Sequence, residues 1–248
     1  MQFGLPIIAT GSLAMAAASL YYATCSVRSQ WLGQTQWHGR RDRNAVALTF
    51  DDGPSPDTES ILDILAEHHL RATFFMIGRE VESFPAIAQR VFAEGHEVGN
   101  HSYSHPRYLF QQPAKTRDQV KRAQDVIAET IGARPRLARP PYGVRTPAYF
   151  SATRALGLDT VQWDVAGFDW KRISPNQIAH NILATAQAGS IILLHDGDSS
   201  GNRDRKNTVE ALPLIIAGLK ERDLRIVPLS QLLRESEFTC AIKRETHS

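Results

Sequence analysis

Two cysteines in 248 residues, Cys25 and Cys240, are too few for a disulfide framework and too few for a cysteine zinc cage. A metal held by this chain has to be bound by histidine and carboxylate. Charge of one sign is also lacking: 28 basic and 26 acidic residues leave a formal charge of +2, and no stretch is dominated by either. That excludes a nucleic-acid binder working by bulk electrostatics. Internal repeats, low-complexity runs and a second-domain linker are absent too. At this length, with 42% apolar residues, the chain can bury one large core.

No charged side chain occurs before Arg28. The apolar stretch Leu5 to Cys25 has the length needed to cross a hydrocarbon core of ~30 Å as a helix. Residues 1–27 are therefore expected to be a signal peptide or a membrane anchor. Ala16-Ala17-Ala18 offers a cleavage site, while Arg28, Arg40, Arg41 and Arg43 are the flanking charges of an uncleaved anchor. Residues 28–43 read as a linker in which Trp31 and Trp37 suit a membrane interface, and residues 234–248 as a polar tail.

Between them, residues 44–233 alternate β-branched runs with amphipathic stretches, the pattern of an α/β fold. Strands are expected over Ala45–Phe50, Ala72–Ile77, Glu97–Gly99, Arg136–Arg139, Thr160–Trp163, Ser190–His195 and Leu224–Pro228. Helices are expected after Ser55-Pro56-Asp57 and Ser174-Pro175, where a cap precedes a first-turn proline. Four more are expected over Phe84–Glu94, Lys115–Ile131, Pro147–Leu156 and Val209–Lys220.

The chemically suggestive residues gather at the C-terminal ends of the strands, where parallel α/β barrels build their active sites. Asp51 and Asp52 are adjacent carboxylates that repel, and a cation is the simplest way to hold both ionised. His101 and His105, four apart, are expected to face one way on a helical turn and to chelate one ion. With Asp52 they make a two-histidine, one-carboxylate set that leaves positions open for water and substrate. Asp51 is then a spare carboxylate able to take a proton, and His195 an acid for a leaving group.

Thr49-Phe50-Asp51-Asp52-Gly53-Pro54, His101-Ser102-Tyr103-Ser104-His105, Arg139-Pro140-Pro141-Tyr142-Gly143, Asp169-Trp170 and Ile192-Leu193-Leu194-His195-Asp196 occur in the order seen in the polysaccharide deacetylase group, the NodB-homology domain of carbohydrate esterase family four. The resemblance covers roughly residues 44–233. It implies a distorted (β/α) TIM-like barrel and a metal-dependent hydrolase that removes acetyl groups from N-acetylglucosamine-type residues. It also implies that Asp51 is the general base, that Asp52, His101 and His105 hold a divalent metal, most often Zn²⁺ with Co²⁺, Ni²⁺ or Mn²⁺ as alternatives, and that Arg139 keeps Asp51 anionic. The Tyr142 N–H would help stabilise the oxyanion, Asp169 would orient and charge His195, and Trp170 and Leu193 would wall the acetyl pocket. Asp164 and Asp196 receive no role.

The expected partner is an acetylated cell-envelope polysaccharide, peptidoglycan or a chitin-like oligomer, outside the cytoplasm, with the membrane as a second partner through the N-terminal segment. No nucleic acid is expected, and no protein partner can be inferred. Three other readings stand beside this one: deacylation of a lipid-linked sugar or of acetylated xylan, a non-catalytic carbohydrate-binding protein, and a non-haem iron oxygenase. The oxygenase has no evident use for Asp51 and His195.

Overall fold

The computed structural model describes residues 5–201 and 203–233, with the side chains of the first helix described from residue 14 onward. The expected C-terminal tail, with Cys240, lies outside the described residues. Eight parallel strands form one curled sheet: β1 (Ala45–Asp51), β2 (Thr73–Met76), β3 (Glu97–Asn100), β4 (Leu137–Ala138), β5 (Asp159–Thr160), β6 (Val165–Ala166), β7 (Ile191–His195) and β8 (Arg225–Ile226). Their spatial order is β5-β4-β3-β2-β1-β7-β6, with β8 also paired to β1. The (β/α) barrel expected from the sequence is present in distorted form. No β5–β6 pairing closes it.

The helices are α1 (Leu5–Cys25), α2 (Pro56–Glu67), α3 (Gly78–Ser83), α4 (Pro85–Ala93), α5 (Pro113–Ile131), α6 (Pro147–Ala155), α7 (Pro175–Leu183) and α8 (Lys206–Glu221). The starts of α2 and α7 are fixed as the sequence suggests, and that of α6 in the same way. Ser55 and Thr58 form a reciprocal capping box at α2, and Thr146 and Ser174 cap α6 and α7, each followed by proline. Neither α3 nor β6 was expected, because six and two residues are too short to show a period.

β1 is buried on both faces, and its alternation sorts the molecule into two cores. Val46, Leu48 and Phe50 point outward and pack with Ile61, Leu62 and Leu65 of α2 and Ile215 of α8. Ala45 and Ala47 point inward with Phe75, Leu137, Val161 and Ile191. On the same inward face, one and two steps further along, come Thr49 and Asp51. Small alanines below and polar groups above give the barrel a filled floor and a reactive mouth.

α1 contains no charged residue, yet among the described residues no helix is long and apolar enough to cross a membrane. The stretch after α1 packs onto the barrel. The Gln36 N–H donates to Thr160 O at 2.9 Å, the Gln162 N–H donates to Gln36 O at 2.7 Å, and the Gly39 N–H donates to Gly189 O at 2.7 Å. Gln36 and His38 thereby bridge Val161, just past β5, to Ser190, just before β7, across the open side of the sheet. Buried Arg145 fastens the other end. Its N–H donates to Thr24 O, and its guanidinium donates to Ser26 O and Ser29 O. Removing residues 1–39 should lower the denaturation midpoint well below that of a chain lacking only residues 1–23, and Arg145→Ala should cost about 2–4 kcal/mol by urea unfolding.

Candidate active site

β1 ends at Asp51, and Asp52 follows in a left-handed conformation (φ 75°) ahead of a cis Gly53–Pro54 bond. The turn is held from below by Asp196, which is fully buried. Its Oδ1 accepts the Gly53 N–H at 3.1 Å, its Oδ2 bonds Thr58 Oγ1 at 2.6 Å, and its carbonyl accepts the Ser55 hydroxyl at 2.5 Å. Burial pushes the Asp196 carboxyl up to about 7. A Cβ on Gly53 would lie 2.0 Å from Asp196 Oδ2, so only glycine fits there.

His101 and His105 reach the same place from an irregular loop after β3. The helical turn expected for this pair does not form. Ser102 (φ 67°) and His105 (φ 54°) are left-handed instead, and the Ser102 hydroxyl accepts the His105 N–H at 3.0 Å. The loop achieves what the spacing implied. His101 Nε2 lies 3.5 Å and His105 Nε2 3.3 Å from the one oxygen Asp52 Oδ1. His101 Nδ1 lies 2.7 Å from Arg139 O, which directs its Nε2 into the site.

Asp52 Oδ1 is buried without a hydrogen-bond donor among the described residues, and the three side chains offer ligand atoms within 4.8 Å of one another. A buried acceptor facing two imidazole nitrogens fits a divalent cation. The electrostatics agree. Burial alone would raise the Asp52 carboxyl, but the facing His101 imidazole and the charge of His195 hold it below the usual range. Burial pushes His105 down to about 3, leaving a neutral imidazole.

Two ion pairs flank this cluster. On one side Arg139 Nη1 donates to Asp51 Oδ1 and to Thr49 Oγ1, both at 2.8 Å, while Nη2 donates to Gln162 O at 3.0 Å. On the other, His195 Nδ1 bonds Asp169 Oδ1 at 2.9 Å. Asp169 Oδ2 accepts the His195 N–H at 2.7 Å and the Thr208 hydroxyl at 2.9 Å. Burial works against charge on His195, yet Asp169, with Asp52 and Asp51 beyond it, raises the imidazole to about 9.

All ten residues singled out from the sequence meet around this cluster. Tyr142 is left-handed (φ 57°) and half exposed, its ring 4.5 Å from that of His105. The Trp170 ring stands edge-on to His195 at 5.4 Å, and Leu193 lines the same cleft of about 620 Å³. Asp164 is elsewhere. It accepts the Ile191 N–H at the opposite end of β7 and pairs with Arg41 at 2.7 Å, so it ties the N-terminal stretch to the sheet. Arg107, Trp163, Arg203 and Arg205 also line the cleft and were not foreseen.

A family model described as polysaccharide deacetylase matches residues 38–161. A chitooligosaccharide deacetylase of Bradyrhizobium sp. (strain ANU 289) is 40% identical over 197 residues, covering 76% of this chain and 90% of that protein. The chain belongs to the polysaccharide deacetylase family. A second relative of this deacetylase-family chain is a peptidoglycan-N-acetylglucosamine deacetylase of Bacillus cereus, 36% identical over 200 residues, 80% of this chain and 72% of that one. Among solved structures, the Bc1960 peptidoglycan N-acetylglucosamine deacetylase superposes with a TM-score of 0.76 at 35% identity, covering 81% of this chain and 92% of that chain.

Two outcomes are expected of the site's construction. Gly53→Ala should displace Asp196 and weaken metal binding by roughly tenfold or more in a chelator competition titration. In the metal-free protein His195 holds its proton to about pH 9, against 6.5 for an ordinary histidine. Its stabilising contribution is therefore whole below pH 6.5 and is lost as pH rises through about 9. Urea midpoints should fall over that window in the native chain and fall less in Asp169→Asn.

Proposed function

We propose that the protein is a metal-dependent N-deacetylase acting on N-acetylglucosamine-type residues of a cell-envelope polysaccharide, either peptidoglycan or a chitin-like oligomer. The observation that carries this reading is one carboxylate oxygen, Asp52 Oδ1, facing two imidazoles with an ion-paired carboxylate on one side and a carboxylate-paired imidazole on the other. The names of its relatives support both the acetylated-sugar substrates and an envelope location.

Asp52, His101 and His105 would hold the metal, and the mixed nitrogen and oxygen set suits zinc, with cobalt, nickel or manganese as alternatives. Bound there, a divalent cation supplies Lewis acidity that polarises the amide carbonyl and lowers the pKa of water. Asp51, fixed by Arg139 through Oδ1, keeps Oδ2 turned toward the ligand cluster, 3.7 Å from His101 Nε2. It is assigned as the base that takes a proton from the attacking water. The Tyr142 N–H is assigned to the oxyanion of the tetrahedral intermediate.

His195, charged at neutral pH by its pairing with Asp169, would pass its proton to the departing amine, so the sugar leaves as a neutral amine. Trp170 and Leu193 are assigned to the acetyl methyl. The reverse assignment, with His195 as base and Asp51 as acid, is disfavoured by the pairing itself. Asp169 opposes deprotonation of His195, while Asp51 is engaged as the anionic partner of Arg139.

The test is acetate release from acetylated chitooligosaccharides and from peptidoglycan, with and without chelator. Release should vanish with chelator and return with added zinc. Asp51→Asn and His195→Gln should each lower kcat by roughly 10²–10⁴-fold while Asp51→Asn still binds metal. Chelator-resistant release would overturn the metal assignment, and unchanged turnover in Asp51→Asn would overturn its role as base.

A further inference from the structure

Two arginines stand at the walls of the cleft, and the mechanism uses neither. The Arg107 guanidinium lies over the Tyr142 ring at 5.4 Å, and the other neighbour of that ring is His105. Arg203 Nη1 donates to Trp170 O at 3.0 Å, and the Trp170 ring abuts His195. Arg107 thus lies on the ring, and Arg203 is bonded to the backbone, of an aromatic residue whose ring neighbours one of the site's histidines. Both are exposed, and both line the cleft.

The acids around the cleft are already matched. Asp51 is paired with Arg139, Asp169 with His195, Asp198 with Arg205 at 3.4 Å, and Asp204 with Lys206 at 3.2 Å, while Asp52 faces the ligand histidines. Among the described residues, no carboxylate pairs with Arg107 or Arg203. Beyond Arg203 the cleft continues into a second hollow of about 540 Å³ that adds Lys171 and Arg172. Lys171 lies over the Phe168 ring, and no carboxylate among the described residues pairs with it or with Arg172. The unneutralised charge of this mouth is therefore positive on both walls, in a protein whose net charge is only +2.

A neutral chitin-like oligomer offers such a mouth no counter-charge. Arg107 lies over an aromatic plane and Arg203 is tied to the wall by one Nη1 bond to a backbone carbonyl, and a guanidinium fork matches a planar anion such as a carboxylate. We infer that Arg107 and Arg203 form an anion subsite for carboxylates on the glycan residues next to the acetylated one. Resting on the deacetylase reading, this narrows its substrate to a carboxylate-bearing strand, the chemistry of peptidoglycan, in preference to an uncharged oligomer.

The test uses the full chain with zinc and three probes of similar length: peptide-free peptidoglycan strands, the same strands with carboxylates methyl-esterified, and acetylated chitooligosaccharide. Binding is read from tryptophan fluorescence and turnover from acetate. The charged strand should bind roughly tenfold or more tighter than its ester, and that preference should shrink as salt rises from about 0.05 M to about 0.5 M. Arg107→Ala with Arg203→Ala should abolish the preference, measured as the ratio of charged to esterified strand in both Kd and kcat/KM. The paired lysine replacements should restore part of it.

Equal binding of free and esterified strands by the native chain, or a preference that survives the double alanine variant, would overturn the subsite. Acetate release without the preference leaves the deacetylase reading standing alone. Arginine-dependent preference without acetate release from any probe leaves the subsite standing and overturns the deacetylase reading.

Discussion

A fully buried guanidinium needs acceptors, and Arg139 finds them for Nη1 and Nη2, though not for Nε, by gathering the site around itself. It bonds the Asp51 carboxylate, the Thr49 hydroxyl and the Gln162 carbonyl, and its plane lies 4.2 Å over the Phe75 ring. Its own carbonyl faces Nδ1 of His101. One residue therefore fixes the proposed base from one atom and directs a proposed ligand from another. The inward small residues explain the room for it. Gly99 sits where any Cβ would strike the Phe75 ring, which is left free to underlie the guanidinium. Burying such a charge is expensive, and removing either partner of a buried pair leaves the other uncompensated, at ~3–5 kcal/mol. The ion pair is an obligation of the fold before it is an instrument of chemistry.

Opposite it, the same logic runs with the signs exchanged. Asp51 is a carboxylate set by a cation and His195 an imidazole set by a carboxylate, and the two are direct register partners across β1 and β7. A single step of strand pairing thus places two groups with partners of opposite charge at one mouth, the arrangement that acid–base chemistry at one bond needs. Backbone strain gathers at the same place. Among the described residues seven other than glycine have positive φ, and five of them, Asp52, Ser102, His105, Tyr142 and Phe168, are site residues or adjoin them. The turns at His69 and Asp223 lie just past helix ends, where such a conformation is ordinary. At the mouth it aims side chains that regular structure would point elsewhere.

Much of this was legible in the chain. Short apolar, β-branched runs marked β1 and β7, and the strand-end rule put Asp51, Asp52 and His195 on one face. Spacing paired His101 with His105, although for a reason the molecule does not use, since a strained loop rather than a helical turn brings them together. The rest depends on long-range contacts without a local signature. Arg205 and Thr208 reach the Asp169 neighbourhood from the start of α8, and Asp196 supports a turn more than 140 residues earlier in the chain. Nothing local to Arg107 or Arg203 distinguishes them from surface arginines until the Tyr142 ring is seen beneath the one and the Trp170 carbonyl beside the other.

Residues 28–43 make the same point from the other direction. Composition alone gave them the look of a tether, because two-residue pairings carry no periodicity. In the molecule they occupy the side of the sheet that β5 and β6 leave unpaired, and Gln162 connects that repair to the chemistry. Its N–H donates to Gln36 O, its carbonyl accepts from Arg139, and its side-chain Nε2 donates to Gly143 O, one residue beyond Tyr142. Arg145, two residues further, clamps the end of α1. The segment before the barrel is thus hydrogen-bonded, through one buried glutamine, to the residue that fixes Asp51 and to the loop that carries Tyr142. A sheet that stops short of closing needs such a strap. Here the strap is fastened at the two positions where its loosening would reach the reacting groups first.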